Sequence, residues 1–242
     1  MTIKIKEYFQ LVVRYIKSIN VYLLIIIKSI NNKKATEALL LSSFKKVHIL
    51  CPGPSAKKIL NEEINKDECI IFINHAIKML PNIKSNHTSF FYFASDGTRF
   101  KENLNDSADE LTKATSIIFA EHLFHFNSRL VNKCDIFFVP QVKFNKKFGI
   151  VGKNEGPHSF QKIKKNPIIS GFGSMINSLQ LAVLFKPKKI KLWGCDMLDI
   201  NNERYFDKSV PIRSTDGFEL TKKHFSIIKQ KILDMGIPIY LK

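Results

Sequence analysis

Cysteine is scarce in this chain of 242 residues: Cys51, Cys69, Cys134 and Cys195 are the four, widely spaced and with no CxxC pair. That spacing excludes a disulfide framework and argues against a cysteine-based zinc site. Three of the four stand in apolar, strand-like runs, so reduced buried thiols and a reducing compartment are expected. Acidic residues are also few, 21 against 38 Lys and Arg. No pair of aspartates of the DxD kind stands at the end of an apolar run, and Asp96 in the SDGT segment is alone. No metal site is therefore expected. Long apolar runs are missing as well. The run Ile19–Ile27 is too short for a spanning helix, which needs ~20 predominantly apolar residues, and no small-residue cleavage site of a signal peptide follows it.

What remains is strongly basic, with a formal net charge of +17 and a pI near 9.7. Such a balance favours an anionic partner: nucleic acid, an acidic membrane surface or a phosphorylated substrate. Heavy use of Lys, Ile and Asn also fits a biased coding composition. No DNA- or RNA-binding motif is visible and the lysines are scattered, so a nucleic-acid binder is the non-enzyme alternative. Residues 1–45 differ from the rest: Arg14 and Lys17 interrupt an apolar-rich segment that Lys4, Lys6, Lys28, Lys33 and Lys34 flank. This reads as a basic amphipathic helix lying on an anionic membrane or packing on protein, including a second copy of the chain.

Residues 46–242 read as one domain. Short β-branched and aromatic runs at 47–51, 69–73, 89–94, 116–120, 135–139, 189–193 and 237–241 predict strands. Helices are predicted over 55–64, 98–113, 172–186 and 217–235, the last closed by Gly236 and Pro238. The alternation predicts an α/β fold: a Rossmann-like, mainly parallel sheet flanked by helices. Residues 141–167 are basic and poor in apolar side chains, and read as a loop or lid.

Ligands of such sheets sit beyond the carboxyl ends of the strands. The first of those ends is Cys51-Pro52-Gly53-Pro54-Ser55, a tight turn between strand and helix. With Ser55 as helix N-cap, such a turn offers backbone N–H groups and a helix N-terminus to a phosphate. A second small-residue turn, Ser170-Gly171 through Gly173-Ser174, opens the helix predicted over 172–186.

Taken in order, CPGPSAKKI at 51–59, FINHA at 72–76, SFFYFASDGT at 89–98, the segment 168–197 that ends in WGCDM, and ERYFD at 203–207 resemble the bacterial lipooligosaccharide sialyltransferases and their relatives in cell-surface polysaccharide synthesis. The resemblance spans about 46–242. It implies a single GT-A-type domain, a CMP-activated sugar as donor substrate, no further cofactor and no metal. By motif, Gly53, Pro54 and Ser55 would meet the CMP phosphate and ribose. Asn74 would contact CMP, Ser95 beside Asp96 would add a third polar contact, and Ser170 and Gly171 would hold the cytidine nucleotide. Asp196 matches the aspartate of the family's GxD motif.

The chain departs from the pattern at the sugar side. Pro167 stands where the family has an arginine before Ser-Gly, and Leu198 and Arg204 replace tyrosines that handle the departing phosphate. Arg204 supplies positive charge there instead, with Tyr205 beside it. His224 is the nearest histidine to the family's catalytic position, and His158 and Asp216 are the other base candidates. His122 and His125 lack a third ligand at fixed spacing and read as structural or acceptor-facing. The expected activity is transfer of a sialic-acid- or Kdo-type sugar from CMP to a cell-surface saccharide, with His224, Asp196 and Arg204 at the chemistry. The expected place is the cytoplasmic face of the inner membrane. The enzymatic alternative is a magnesium-dependent, pyrophosphokinase-like phosphotransferase on the same core.

Overall fold

The computed structural model describes residues 43–85, 89–94, 102–103, 105–119, 136–139, 141–142, 168–169, 173–196 and 218–242. Residues 1–42, with the predicted basic helix, lie outside them. The strands are β1 (Lys46–Leu50), β2 (Glu68–Ile73), β3 (Ser89–Ala94), β4 (Thr115–Phe119), β5 (Ile136–Val139), β6 (Gln141–Val142), β7 (Ile168–Ile169), β8 (Lys189–Trp193) and β9 (Ile239–Leu241). The α-helices are α1 (Ala108–Thr112), α2 (Ser174–Leu184) and α3 (Phe218–Asp234), and 3-10 helices run over Pro54–Asn61 and Asn74–Asn82.

Seven strands form one sheet in the order β5-β4-β3-β2-β1-β8-β9, and every pairing in it is parallel. This is a doubly wound, Rossmann-like α/β fold. Every residue of β1 and of β2 is buried. A parallel sheet covered on both faces demands this, and it explains why these strands read as continuous apolar runs rather than as alternating ones. On one face Leu50, Ile70, Phe72, Tyr92 and Trp193 pack against Ala56 and Ile59 of the first 3-10 helix and Ala76, Ile77, Met79 and Leu80 of the second. On the other face Val47, Ile49, Ile71, Phe91, Phe93 and Leu192 pack against Ile176, Leu179 and Ala182 of α2 and Phe225, Ile228 and Ile232 of α3. Helix α2 is buried from Ser174 to Val183. That leaves no polar stripe to solvent and makes α2 a core element rather than a surface helix.

One group of polar side chains is buried in the first face. His48 is 0 % exposed and Glu68 is 2 % exposed. Trp193 Nε1–H donates to His48 Nδ1 at 3.1 Å. An indole N–H can only donate, so Nδ1 is the acceptor and the imidazole proton sits on Nε2, which donates to Glu68 Oε2 at 2.9 Å. Lys46 Nζ lies 2.6 Å from Glu68 Oε1. Lys191 pairs with Glu62 and lies over the Trp193 ring. Burial dominates His48 and lowers its pKa to about 4, against the opposing hydrogen bond and charge of Glu68; Lys46 and Lys191 lower it further. The pKa of Glu68 is also lowered. Burial alone would raise it, but the hydrogen bonds from Lys46 and His48 and their charges outweigh that.

The structure corrects several sequence expectations. The helix expected over 55–64 is a 3-10 helix over Pro54–Asn61, with Gly53 and not Ser55 at its N-cap. Pro54 explains the shift, because its fixed φ and missing N–H suit the first helical position. The 3-10 helix Asn74–Asn82 was not expected, and it carries Pro81 near its end. The segment read as a loop from 141 starts instead with β6, which pairs in parallel with β7. The strand expected over 237–241 begins at Ile239, after Pro238. No described helix is long and apolar enough to cross a membrane.

Candidate functional site

Chain order reverses beside β1. The chain steps outward through β2, β3, β4 and β5, then returns to lay β8 on the opposite side of β1. The turns leaving β1 and β8 therefore diverge from adjacent strand ends, which is where open α/β sheets bind their ligands. The β1 turn is Cys51–Ser55 and the β8 turn is Gly194–Asp196.

These two turns interlock. Gly53 N–H donates to the Gly194 carbonyl at 3.0 Å, and Cys51 N–H donates to the Trp193 carbonyl at 2.8 Å. Ser55 N–H donates to Asp196 Oδ2 at 3.0 Å, across 141 positions of sequence. Asp196 thus supplies from β8 the N-terminal cap that the first 3-10 helix lacks in its own side chains. Contact is close enough that a Cβ on Gly53 would lie 2.4 Å from both Asp196 Oδ2 and the Gly194 carbonyl oxygen. Gly194 has φ +63 and folds the β8 turn back toward Cys51.

This bonding revises the reading of the turn as an open cradle. The N–H groups of Gly53, Ser55 and Ala56 go to Gly194, Asp196 and Gly53 respectively, and Pro54 has none. Ser55 Oγ donates to the Lys242 carbonyl at 3.4 Å. The turn is first a clamp between β1 and β8, and it shapes the crevice more than it offers bare donors to it.

Next along the sheet, β2 is followed directly by Asn74, which takes the left-handed conformation with φ +49. Asparagine tolerates this region better than most residues. Its Nδ2 donates to Ser174 Oγ at 3.3 Å, at the first residue of α2. Asn74 Oδ1 is buried and has no hydrogen-bond partner among the described residues. An unmatched buried carbonyl-type oxygen costs ~1–3 kcal/mol, so its presence just beyond the end of β2 makes Asn74 a candidate ligand contact. Helix α2 opens at Gly173, with φ +90, and Thr221 of α3 lies against that glycine, its Oγ1 3.6 Å from where a Cβ would stand. The positive end of α2, Asn74 and the first turn of α3 therefore meet beside the clamp.

The expected site residues divide accordingly. Gly53, Pro54, Ser55 and Asp196 come together in the clamp, and Asn74 faces the start of α2. His224, expected at the chemistry, is 2 % exposed, one turn beyond Thr221 on α3. Ser95, Asp96, Ser170, Gly171 and Arg204 lie outside the described residues, as do His122, His125, His158 and Asp216. Gly194, Ser174 and Thr221 also contact this group and were not singled out by residue chemistry. The signal for Gly194 was the GxD spacing, and for Ser174 the small-residue turn that opens α2. Among the described residues no group of three or more His, Cys, Asp or Glu side chains is placed to hold a metal ion.

No protein-family model matches the chain, and no curated protein sequence matches it. It is similar to a solved structure of the sialyltransferase CstII from Campylobacter jejuni in complex with a substrate analogue, cytidine-5'-monophosphate. The two share 18 % identity over 83 % of this chain and 80 % of that one, with a TM-score of 0.44.

Proposed function

We propose that this chain is a glycosyltransferase that takes a sialic-acid- or Kdo-type sugar from a CMP donor and passes it to a cell-surface saccharide, of lipooligosaccharide or capsule type. The observation that carries the reading is Asn74. It stands at the end of the strand next to the switch point, anchored to Ser174 through Nδ2, with Oδ1 left for a ligand hydroxyl or amino group. A ribose hydroxyl or the cytosine amino group supplies that donor, and the α2 N-terminus beside it favours the phosphate. The order of motifs along the sequence, from the Gly53-Pro54-Ser55 turn through Asn74 and Ser95-Asp96 to Ser170-Gly171 and Asp196, supports the same ligand. A CMP-linked sugar departs as a phosphate monoester, so such a site needs donors on the phosphate and a base for the acceptor hydroxyl. No divalent ion is obligatory for that chemistry. In this reading Arg204 neutralises the departing phosphate, and residues 1–45 hold the enzyme on the anionic cytoplasmic face of the inner membrane, near a lipid-linked acceptor.

Thermal unfolding with CMP, UDP, GDP and ATP, each with and without EDTA, tests the proposal. CMP is expected to raise Tm with EDTA present, as any ligand selective for the native state does. A rise with ATP and magnesium alone would favour the phosphotransferase. No response to nucleotides, with salt-sensitive binding to an oligonucleotide, would favour the nucleic-acid binder. Asn74→Gly keeps the left-handed backbone and removes only the side chain. It is expected to lower CMP affinity about tenfold or more, the cost of one well-made hydrogen bond to a buried acceptor. An unchanged affinity, measured by calorimetry, would remove Asn74 from the site.

His224 is the base in this reading. Its burial means that the acceptor hydroxyl reaches it only in a conformation that uncovers the imidazole. His224→Gln is expected to lower kcat by roughly 10²–10⁴, the usual worth of a general base, while CMP affinity stays within about twofold. Loss of CMP binding together with kcat would assign His224 to the fold instead.

A further inference from the structure

The switch point holds a pair of thiols that the proposed transfer reaction does not use. Cys51 leaves β1 and Cys195 leaves β8, and their Sγ atoms are 2.8 Å apart. The two strands are adjacent and in register, with Leu50 opposite Trp193. Both residues flanking Cys195 are tied to the β1 turn, Gly194 through the Gly53 N–H and Asp196 through the Ser55 N–H. The backbone of Cys195 is therefore pinned beside the β1 turn from both sides. Cys51 is 6 % exposed, and Cys195 is partly buried. The third described cysteine, Cys69, is fully buried within β2.

We propose that Cys51 and Cys195 form a reversible disulfide, closed by a low-molecular-weight disulfide such as oxidised glutathione, that staples the β1 turn to the β8 turn. The Cys195 thiolate attacks the small disulfide, forming a mixed disulfide and releasing one small thiol. The Cys51 thiolate then attacks Cys195 Sγ and releases the second. The net change is two protein thiols and one small disulfide converted into one protein disulfide and two small thiols, two electrons passing to the reagent and each thiol proton ending on a released thiol. Burial holds the Cys195 thiol well above the usual range, with the neighbouring Cys51 and Asp196 adding to it, so the exchange is slow at neutral pH. The bond crosses the longest-range strand pairing in the described sheet and so constrains the unfolded chain strongly.

The test uses the full chain. After incubation with oxidised glutathione and quenching with iodoacetamide, tryptic digestion without reductant is expected to yield peptide 47–57 linked to peptide 192–204, two hydrogens lighter than their sum. Dithiothreitol is expected to separate them. The oxidised protein is expected to melt roughly 10 °C higher than the reduced protein, a shift that Cys195→Ser abolishes and Cys69→Ser leaves. Full alkylation of both cysteines after oxidation, or linkage of Cys51 to Cys69 or Cys134 instead, would overturn the proposal. The linked peptide is read on the wild-type chain without nucleotide, so its presence or absence stands apart from the outcome of the CMP measurements.

Discussion

Gly53→Ala is expected to destabilise the protein by about 3–5 kcal/mol and to abolish nucleotide binding. The cause is contact, not backbone strain, because Gly53 has φ −68 and ψ 164, which any residue adopts. An added Cβ would lie 2.4 Å from Asp196 Oδ2 and 2.4 Å from the Gly194 oxygen. Neither atom is the free end of a flexible chain. Asp196 is held by the Ser55 N–H and the Gly194 carbonyl by the Gly53 N–H itself. Relief therefore means parting the clamp, which adds ~1–3 kcal/mol of overpacking to the loss of one neutral and one charge-assisted hydrogen bond. For a chain of this size that is a fall in Tm of roughly 10 °C. Two other glycines calibrate the result. Gly194→Ala is expected to be worse, because its Cβ would lie 2.3 Å from the Cys51 oxygen and its φ is +63. Gly236→Ala meets nothing within 4 Å and carries only the strain of φ +78, about 1 kcal/mol. A Gly53→Ala protein that melts within about 2 °C of wild type would show that the clamp is not closed as described.

Acidification is the second large effect. In the folded protein the pKa of His48 is lowered from 6.5 to about 4. Between those values the unfolded chain binds a proton that the native state refuses, so unfolding gains free energy as pH falls. Stability is expected to be whole above about pH 6.5 and to drop by ~3 kcal/mol on reaching pH 4. Glu68 and Glu62, whose pKa values are also lowered, act in the same sense but only as pH falls below their unfolded value of 4.5. The window from 6.5 to 4.5 therefore separates the His48 imidazole from these two carboxylates. Urea unfolding across that window is expected to show a steep loss in wild type. In His48→Gln the loss flattens, because the amide can accept from Trp193 and donate to Glu68 without titrating. An equal slope in both proteins would place the acid sensitivity elsewhere.

Much of the frame was legible because its signals are local. Runs such as CIIFI and SFFYFA carry their strand character within themselves, and the parallel sheet follows from their alternation with helices. The positions of β3 and β8 matched the sequence reading residue for residue. The site was less legible because its bonds are not local. Ser55 was a plausible N-cap by type, but Pro54 begins the helix earlier and the capping oxygen arrives from Asp196, in the turn after β8. The burial of His224 is a property of the packed fold and is not carried by its local sequence. Trp193 is a core residue, at 3 % exposure, yet nothing in its neighbours announces the hydrogen bond to His48. Asn74 was found through motif resemblance. What makes it distinctive, a left-handed backbone and an unmatched acceptor, is a property of the folded chain alone.

The placement of β1 between β2 and β8 also bears on how the crevice comes into being. Strands β1 to β4 pair with neighbours close by in sequence, whereas Lys46 meets Lys189 only after most of the chain has been made. Closing so long a loop costs entropy that must be spent before the contact returns anything. The clamp of Gly53, Ser55, Gly194 and Asp196 therefore lies along a seam between a part of the sheet that can assemble early and a part that joins it late. A nascent chain has no such crevice until β8 has emerged and docked, so ligand binding at this seam reports on completed folding of the whole domain.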